Sequence, residues 1–502
     1  MSFARLLAEA RAAGDPDSLG ELARTALAAG EEEAALPMVQ AAAERLRSAL
    51  LWQWTGLLQR SLDEHGAALR SFEMAAELAP GDPSIAHGQA RVALEAGVPS
   101  LDLFERAIAL SPGDGAVLLG RAAARHEMGE TVRAVDELQT ILSGSPQWIA
   151  GHQQLAQLRA MLGEHHRMGE SLAAALERSP RDATLWDAVF NLHLRAEDYG
   201  GLEQALARAR LGGMSVPAAP FYAAVCAAEL DVSVRPSVLF EDAPPALSSA
   251  LAVWRIRHLL RGGDIIGASE LVERELAGEQ AAGVWPYATL VWRLTKDARA
   301  AWLFGDPRLV HVADLTPQLP PLDPLAAQLR ALHVARGPYP DQSVRGGTQT
   351  DGPLLSRVDP HIRALRIAIV AEVERYRAAL PPPDRGHPLL SQRRDRRVRF
   401  AGSWSVRLGD AGHHAPHVHP QGWISSALYV ALPELAEGDD PHAGWLAFGD
   451  APTELNLSLA PLRMLRARPG QLVLFPSWMW HGTRPFGRGE RLTVAFDVRA
   501  PI

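Results

Sequence analysis

Residues 51–80, LWQWTGLLQRSLDEHGAALRSFEMAAELAP, hold the pattern that decides the fold of the first half of the chain. The proline that closes this stretch, Pro80, recurs as Pro112, Pro146 and Pro180, at intervals of 32, 34 and 34 residues. A sequence that repeats at a fixed period of this length predicts stacked helical hairpins rather than one globular core. Proline suits the end of each hairpin, because it cannot continue a helix.

The residues that precede each proline repeat as well. Phe72 and Ala75 return as Phe104 and Ala107, at the same distance before the next proline. The segment resembles the tetratricopeptide repeat, and the residues that match this pattern are Trp52, Gly56, Ala68, Phe72, Ala75 and Pro80. The resemblance implies five or six repeats over about residues 16–217, so residues 1–217 are assigned to a repeat array.

The pattern of apolar and polar residues changes twice after the repeat array. Residues 218–314 keep apolar residues at helical spacing but lose the repeat phase, which predicts a helical continuation or bridging unit. A proline-rich linker at 315–324 then precedes a unit assigned to 325–502. Short alternating runs without helices between them predict strands at 400–408, 424–432, 444–448, 471–475 and 491–498.

These runs indicate a double-stranded β-helix, or jelly roll, with its β-core at about 398–502. The predicted fold class is therefore multidomain α + β, with an N-terminal α-solenoid and a C-terminal β-helix that carries flanking helices. A chain of 502 residues is long enough for more than one core.

Charge and composition indicate which class of partner and which cellular compartment to expect. The net charge is −8, so a nucleic-acid partner is not expected. The densest basic run, 393–399, is interpreted as a solvated face, with contact to an anionic substrate as the alternative. A single cysteine, the lack of a signal-peptide pattern and the lack of an 18-residue apolar stretch predict a cytoplasmic protein without a membrane span.

Histidines are concentrated in the predicted β-core. His417 and His419 lie at i and i+2, on one face of an extended segment, and His481 ends a later strand. Arg491 follows ten residues after His481, with Thr493 on the same face of its strand. Fe(II) in oxygenases binds imidazole and oxygen ligands on one face and leaves positions open for co-substrate and O₂. The planar fork of arginine suits the carboxylate of a keto acid.

The C-terminal region resembles the Fe(II)/2-oxoglutarate oxygenase superfamily, and more narrowly the oxygenases found behind tetratricopeptide repeats. The segments that carry the resemblance are QSVRGGTQT at 342–350, GSWSVR at 402–407, HVHPQGW at 417–423, SSALYV at 425–430, PSWMWH at 476–481 and ERLTVAFD at 490–497. It implies Fe(II), 2-oxoglutarate and O₂ as cofactor and co-substrates. By resemblance, His417 and His481 bind iron, and Arg491, helped by Thr493 and Tyr429, binds 2-oxoglutarate.

Position 419 departs from the superfamily, which usually has Asp or Glu two residues after the first histidine. Three interpretations stay open. His419 is the third ligand, or it is a bystander, or it is the first ligand with Gln421 in the carboxylate position. We favour the first, so the predicted metal ligands are His417, His419 and His481.

Further residues of the C-terminal region receive assignments as well. Trp423 and Arg345, which lies beside two glycines, are candidate substrate contacts. His413 and His414 are interpreted as loop residues, and His442 as part of an exposed turn.

The sequence thus favours an Fe(II)- and 2-oxoglutarate-dependent dioxygenase that hydroxylates a protein or peptide substrate. The repeats are expected to recruit this substrate without building the active site, although an array that only forms a homodimer fits equally well. The alternatives are a repeat adaptor with an inactive β-helix module, and a three-histidine metal dioxygenase that does not use 2-oxoglutarate.

Overall fold

The computed structural model describes residues 3–230, 245–278, 281–340, 342–434, 438 and 440–501. Residues 231–244 and 279–280 of the predicted bridging unit lie outside the described residues. No helix within the described ranges is both long and apolar enough to cross a membrane. The helices are α1 (Phe3–Ala13), α2 (Pro16–Ala29), α3 (Glu32–Leu46), α4 (Ala49–Ser61), α5 (His65–Leu78), α6 (Pro83–Glu95), α7 (Leu101–Leu110), α8 (Gly115–Glu127), α9 (Thr131–Gly144), α10 (Ile149–Met161), α11 (Glu170–Arg178), α12 (Ala183–Arg195), α13 (Tyr199–Leu211), α14 (Ala219–Leu230), α15 (Pro245–Arg261), α16 (Ile265–Leu276), α17 (Ala281–Leu294), α18 (Arg299–Phe304), α19 (Leu322–Ala331) and α20 (Pro360–Ala379).

Six consecutive helix pairs, from α2/α3 to α12/α13, form the repeat array and confirm the predicted solenoid. The repeating sequence explains their boundaries. Two residues after Pro80 and Pro112, the carboxylates of Asp82 and Asp114 accept hydrogen bonds from the first backbone N–H groups of the next helix. At these two boundaries a proline follows one helix and an aspartate caps the next. After Pro146 the cap position holds Trp148, which makes no side-chain cap hydrogen bond.

Aromatic and glycine residues set the distance between the paired helices. Phe72 is fully buried, and a Cβ added at Gly56 would lie 2.7 Å from its ring. A Cβ at Gly88 would lie 2.3 Å from the same ring, so both glycines are needed for the helices to close around it. The recurring aromatic residue of the repeat therefore fills the space between neighbouring helices.

The C-terminal unit contains two facing sheets. The strands are β1 (His311–Asp314), β2 (Val344–Gln349), β3 (Phe400–His414), β4 (Ile424–Ala431), β5 (Leu446–Phe448), β6 (Arg463–Leu465), β7 (Gln471–Pro476), β8 (His481–Thr483) and β9 (Arg491–Val498). The larger sheet has the order β1-β7-β4-β9-β3-β2 and the smaller has the order β6-β5-β8, with antiparallel pairing throughout. All five predicted strands are present, and four further strands were not predicted.

Residues on the larger sheet alternate between two environments. Leu492, Val494 and Phe496 of β9 face a core formed with α19 and α20. Arg491 and Thr493 lie on the other face of the same strand and point into a cavity. One strand therefore supplies both the hydrophobic core and the polar groups of the site.

The boundary expected at residues 314–325 requires a correction. Strand β1 lies before the linker, yet it pairs with β7, from His311 opposite Leu474 to Asp314 opposite Gln471. Helices α15 to α17 also share a core with the sheets, in which Trp292 packs in one cluster with Phe475 and Trp480. Helices α15 to α17 of the bridging unit are therefore packed into the C-terminal β-domain, whereas α14 packs with the last repeat pair through Tyr222 and Cys226.

The array holds the C-terminal unit through the turns inside its helix pairs. Every pair from α2/α3 to α12/α13 contributes, through ion pairs or backbone hydrogen bonds. The contacts are Arg396 with Glu31, Arg399 with Glu32, Arg397 with Glu64, Val358 N–H with Ala96 O, Arg357 with Glu127, Arg336 N–H with Met161 O, and Arg345 with Glu197.

This docking changes the interpretation of the basic run at 393–399. Arg393 pairs locally with Asp395 and stays half-exposed, as a solvated face requires. Arg396 and Arg399 instead reach glutamates of the array at 2.5 and 2.8 Å. The anionic partner of the second half of the run is therefore this chain's own repeat array.

Candidate metal and co-substrate site

Backbone pairing brings the three candidate histidines together. His417 N–H donates to His481 O at 2.9 Å, and His481 N–H donates to His417 O at 3.1 Å. His419 N–H donates to Ser477 O at 2.9 Å. One ring nitrogen from each of the three histidines lies within 4.8 Å of the other two, a grouping that can hold a metal ion.

The hydrogen bonds of the rings fix which nitrogen is free. Nδ1 of His417 lies 2.8 Å from Ala415 O, and Nδ1 of His481 lies 2.9 Å from Met479 O. Nδ1 of His419 lies 2.7 Å from Oδ2 of Asp497. Each partner is an acceptor, so each Nδ1 carries the proton and each Nε2 keeps its lone pair. This is the arrangement that histidine ligands of metals adopt.

Desolvation keeps the imidazoles of His417 and His481 neutral. Desolvation, reinforced by the neighbouring His419, lowers the pKa of His417 to about 3. The pKa of His481 lies well below its usual value, again through burial first and nearby histidines second. Metal binding requires neutral imidazole, so the site is prepared for an ion at neutral pH.

Arg491 is the main charge in the same cavity. It is 2% exposed, donates from Nη1 to Oγ1 of Thr483 at 2.9 Å, and lies 5.2 Å from the ring centre of Tyr429. Its Nε makes no hydrogen bond, and no ion pair of the described residues involves it. Burial lowers the pKa of this guanidinium. A buried arginine without a carboxylate is costly unless a ligand supplies the anion.

The cavity has a volume of about 260 Å³ and is lined by all three histidines, Arg491 and Thr493. Tyr429 lies beneath Arg491, fully buried, and does not line the cavity. Trp404 stacks on the ring of His419 with centroids 5.7 Å apart. The histidine group and the unpaired cation therefore face one cavity.

Several residues of the site were missed by the sequence analysis. His414, expected in a loop, ends strand β3, lines the cavity and stacks on His417 at 5.6 Å. Thr483 and Asp497 received no role, although Asp497 shares a face of β9 with Arg491 at even spacing. That spacing was the available signal, because residues two apart on a strand point the same way.

Two candidate substrate contacts lie outside the cavity. Trp423 is 3% exposed, donates from Nε1 to Leu389 O at 2.9 Å and packs in the core, so it cannot stack on a substrate as expected. Arg345 is exposed and donates to the carbonyls of Gln342 and Val344. It lines a neighbouring cleft rather than the cavity.

That neighbouring cleft lies between the array and the C-terminal unit. Its volume is about 540 Å³, and its walls include His165 and His193 of the repeats and Arg345 opposite them. Gln342 lines both the cleft and the cavity, and its buried Oε1 has no hydrogen-bond partner. No repeat residue lines the cavity itself.

Residues 402–497 match the family model described as "Putative 2OG-Fe(II) oxygenase", which confirms the resemblance of this segment. The match runs from β3 to β9 and includes the three histidines and Arg491. The C-terminal part of the chain therefore has an oxygenase-like domain.

Solved repeat-protein structures also resemble part of the chain. MamA from Desulfovibrio magneticus is 18% identical over 33% of this chain and 96% of that chain, with a TM-score of 0.29. A tetratricopeptide repeat protein from Parabacteroides merdae is 16% identical over 45% and 91%, with a TM-score of 0.29. YrrB, described as a TPR protein with an unusual peptide-binding site, is 17% identical over 38% and 97%, with a TM-score of 0.29. No curated protein matches the chain.

Proposed function

We propose that this protein is an Fe(II)- and 2-oxoglutarate-dependent dioxygenase that hydroxylates a protein or peptide substrate. The observation that carries the proposal is the pairing, in one cavity, of three histidines with free Nε2 atoms and one buried arginine without an anion. A metal explains the first feature and a dicarboxylate co-substrate explains the second.

The residues present fit Fe(II). All three Nδ1 atoms are bonded to acceptors, so His417, His419 and His481 would hold the ion through Nε2. When bound, the iron supplies O₂ activation coupled to decarboxylation of 2-oxoglutarate. Arg491 would bind the carboxylate of 2-oxoglutarate that lies away from the metal, with Thr493 beside it on β9.

The surrounding side chains would orient the ligands and exclude water. Trp404 holds one face of the His419 ring, and Phe475 contacts His481 edge-on at 4.6 Å. Tyr429 supports the Arg491 guanidinium from below. A cavity with these walls favours charge-assisted contacts, because hydrogen bonds to ions are stronger where water is excluded.

The alternatives account for fewer of these features. An adaptor with an inactive β-module needs neither three oriented imidazoles nor a desolvated arginine beside them. A three-histidine dioxygenase that does not use 2-oxoglutarate explains the histidines but leaves Arg491 without an anion.

The position of the cleft favours a polypeptide as the substrate. It shares the lining residue Gln342 with the cavity, and the unpaired Oε1 of this residue would accept a donor from a substrate. One wall comes from the repeats, so the array would present the substrate beside the cavity while the β-domain supplies the reactive site.

Oxygen-dependent succinate formation from 2-oxoglutarate tests the proposal. The full chain with Fe(II) should form succinate slowly alone and faster with cell extract that contains the substrate. His481→Ala should abolish both rates. His442→Ala provides the matched control, because that histidine lies half-exposed beside Asp440, outside the cavity lining. Succinate formation that persists in His481→Ala would contradict the proposed site.

A further inference from the structure

We infer that Asp497 is a positioning residue that restores, through His419, the negative charge that a three-histidine metal site lacks. The inference rests on the proposed metal site and concerns its charge. Three neutral imidazoles leave the two positive charges of Fe(II) uncompensated by the protein. A buried carboxylate in contact with one of the rings changes that balance.

Asp497 is held in place from both of its oxygens. Oδ2 accepts from Nδ1 of His419 at 2.7 Å, and Oδ1 accepts from Oγ of Ser425 at 2.6 Å. Ser425 lies 2.9 Å from Oγ of Ser477, which completes a buried hydroxyl chain. Ser425 and Ser477 are 1% and 0% exposed, and Asp497 is 8% exposed. The carboxylate therefore has little freedom to turn away from His419.

The three histidines differ in what supports them. His417 and His481 donate to backbone carbonyls, which are neutral. Only His419, of the three, donates to a carboxylate. Position 419 is also where the resembled superfamily usually has Asp or Glu. The negative charge that the ligand position lacks is thus supplied by Asp497, which accepts a hydrogen bond from the ligand His419.

The charge of Asp497 remains available to the metal site. Among the ion pairs of the described residues, the pair with His419 is the one that Asp497 makes, and no lysine or arginine takes part. A carboxylate behind a ligating imidazole fixes the ring, makes the ligand nitrogen more basic and adds negative charge near the ion. Asp497 acts through His419 and does not touch the reacting atoms.

Asp497→Asn tests the charge with little change in shape. Anaerobic titration with Co(II), used as the spectroscopic probe, should show metal affinity weakened by about 10- to 100-fold and a shifted visible spectrum. Thermal unfolding of the metal-free variant provides the folding control. Ser425→Ala is the matched control, because it removes one hydrogen bond to Asp497 and keeps the carboxylate; its affinity loss should be smaller.

Moving the carboxylate sharpens the test. In the Asp497→Asn background, His419→Asp should raise Co(II) affinity, because it places the missing charge on the metal. When Asp497 is present, His419→Asp should raise Co(II) affinity less, because the two carboxylates then repel each other. Wild-type affinity and spectrum in Asp497→Asn, or equal effects of His419→Asp in both backgrounds, would overturn the inference. Failure of the wild-type protein to bind Co(II) would instead refute the proposed metal site.

Discussion

Arginines are used in opposite ways in two regions of this molecule. At the edge of the array, Arg396, Arg399 and Arg357 each pair with a glutamate of a repeat turn. In the cavity, Arg491 is more deeply buried than these and pairs with no carboxylate among the described residues. The interface arginines are neutralised by carboxylates of this chain, whereas neutralisation of Arg491 requires an anionic ligand.

The contrast separates structural charge from functional charge. A buried ion pair is balanced, and removing one partner leaves the other uncompensated. An unpaired buried cation destabilises the free protein by its desolvation free energy, and binding of an anionic ligand offsets this destabilisation. The comparison therefore predicts that arginine variants at the interface lose stability, while arginine variants in the cavity lose ligand affinity.

The largest effect is expected at the metal. His481→Ala removes one Nε2 and should weaken Fe(II) binding by well over about 100-fold, since even loss of an outer partner costs about 10- to 100-fold. Anaerobic equilibrium titration of the full chain measures this. Stoichiometric iron binding by the variant would show that His481 is not a ligand.

His419→Asp tests the third ligand position. Unchanged iron affinity and an unchanged iron spectrum in this variant would show that His419 is a bystander.

An intermediate effect is expected at the interface. Arg399→Ala leaves Glu32, 3% exposed, without its cation, and should lower the free energy of unfolding by about 3–5 kcal/mol. Arg393→Ala is the control from the same basic run. Its exposed pair with Asp395 is screened by solvent, so this loss should be much smaller. Urea unfolding of both variants decides the point, and equal losses would contradict the assigned docking.

The smallest effect is expected at Arg345. Its ion pair with Glu197 spans 3.6 Å between two exposed side chains, so Arg345→Ala should change stability by less than about 1 kcal/mol. Metal and 2-oxoglutarate binding should not change, because Arg345 lies outside the cavity. Extract-stimulated succinate formation should fall if the cleft binds substrate. Unchanged stimulation would remove Arg345 from the substrate path.

The sequence predicts features that depend on local pattern. The proline period places the helix pairs, and alternation places β4, β7 and β9 within one residue of their ends. Strands β1, β2, β6 and β8 were not predicted. Length alone does not explain this, because β5 has three residues and was predicted; β2 contains two glycines, which disfavour a strand. Such segments become strands through their partners rather than through their own composition.

The same distinction applies to the site. His417, His481 and Arg491 belong to recognisable segments, and the structure brings them to one cavity. The hydrogen bond from His419 to Asp497 joins residues 78 positions apart, and the pair of Arg399 with Glu32 joins two domains. Contacts of this kind arise from tertiary packing. Strand spacing indicates that Asp497 shares a face with Arg491, but it does not indicate which residue Asp497 contacts.

The most direct test of the central claim is calorimetry of 2-oxoglutarate binding to the Mn(II)-loaded full chain. We predict that one 2-oxoglutarate binds per chain. Arg491→Ala should weaken this binding by roughly 30-fold or more, the equivalent of about 2 kcal/mol for a charge-assisted pair. Arg491→Lys should recover only part of this loss, because lysine lacks the planar fork. Mn(II) affinity without 2-oxoglutarate should barely change. Unchanged 2-oxoglutarate affinity in Arg491→Ala would contradict the account and favour the adaptor or the three-histidine dioxygenase.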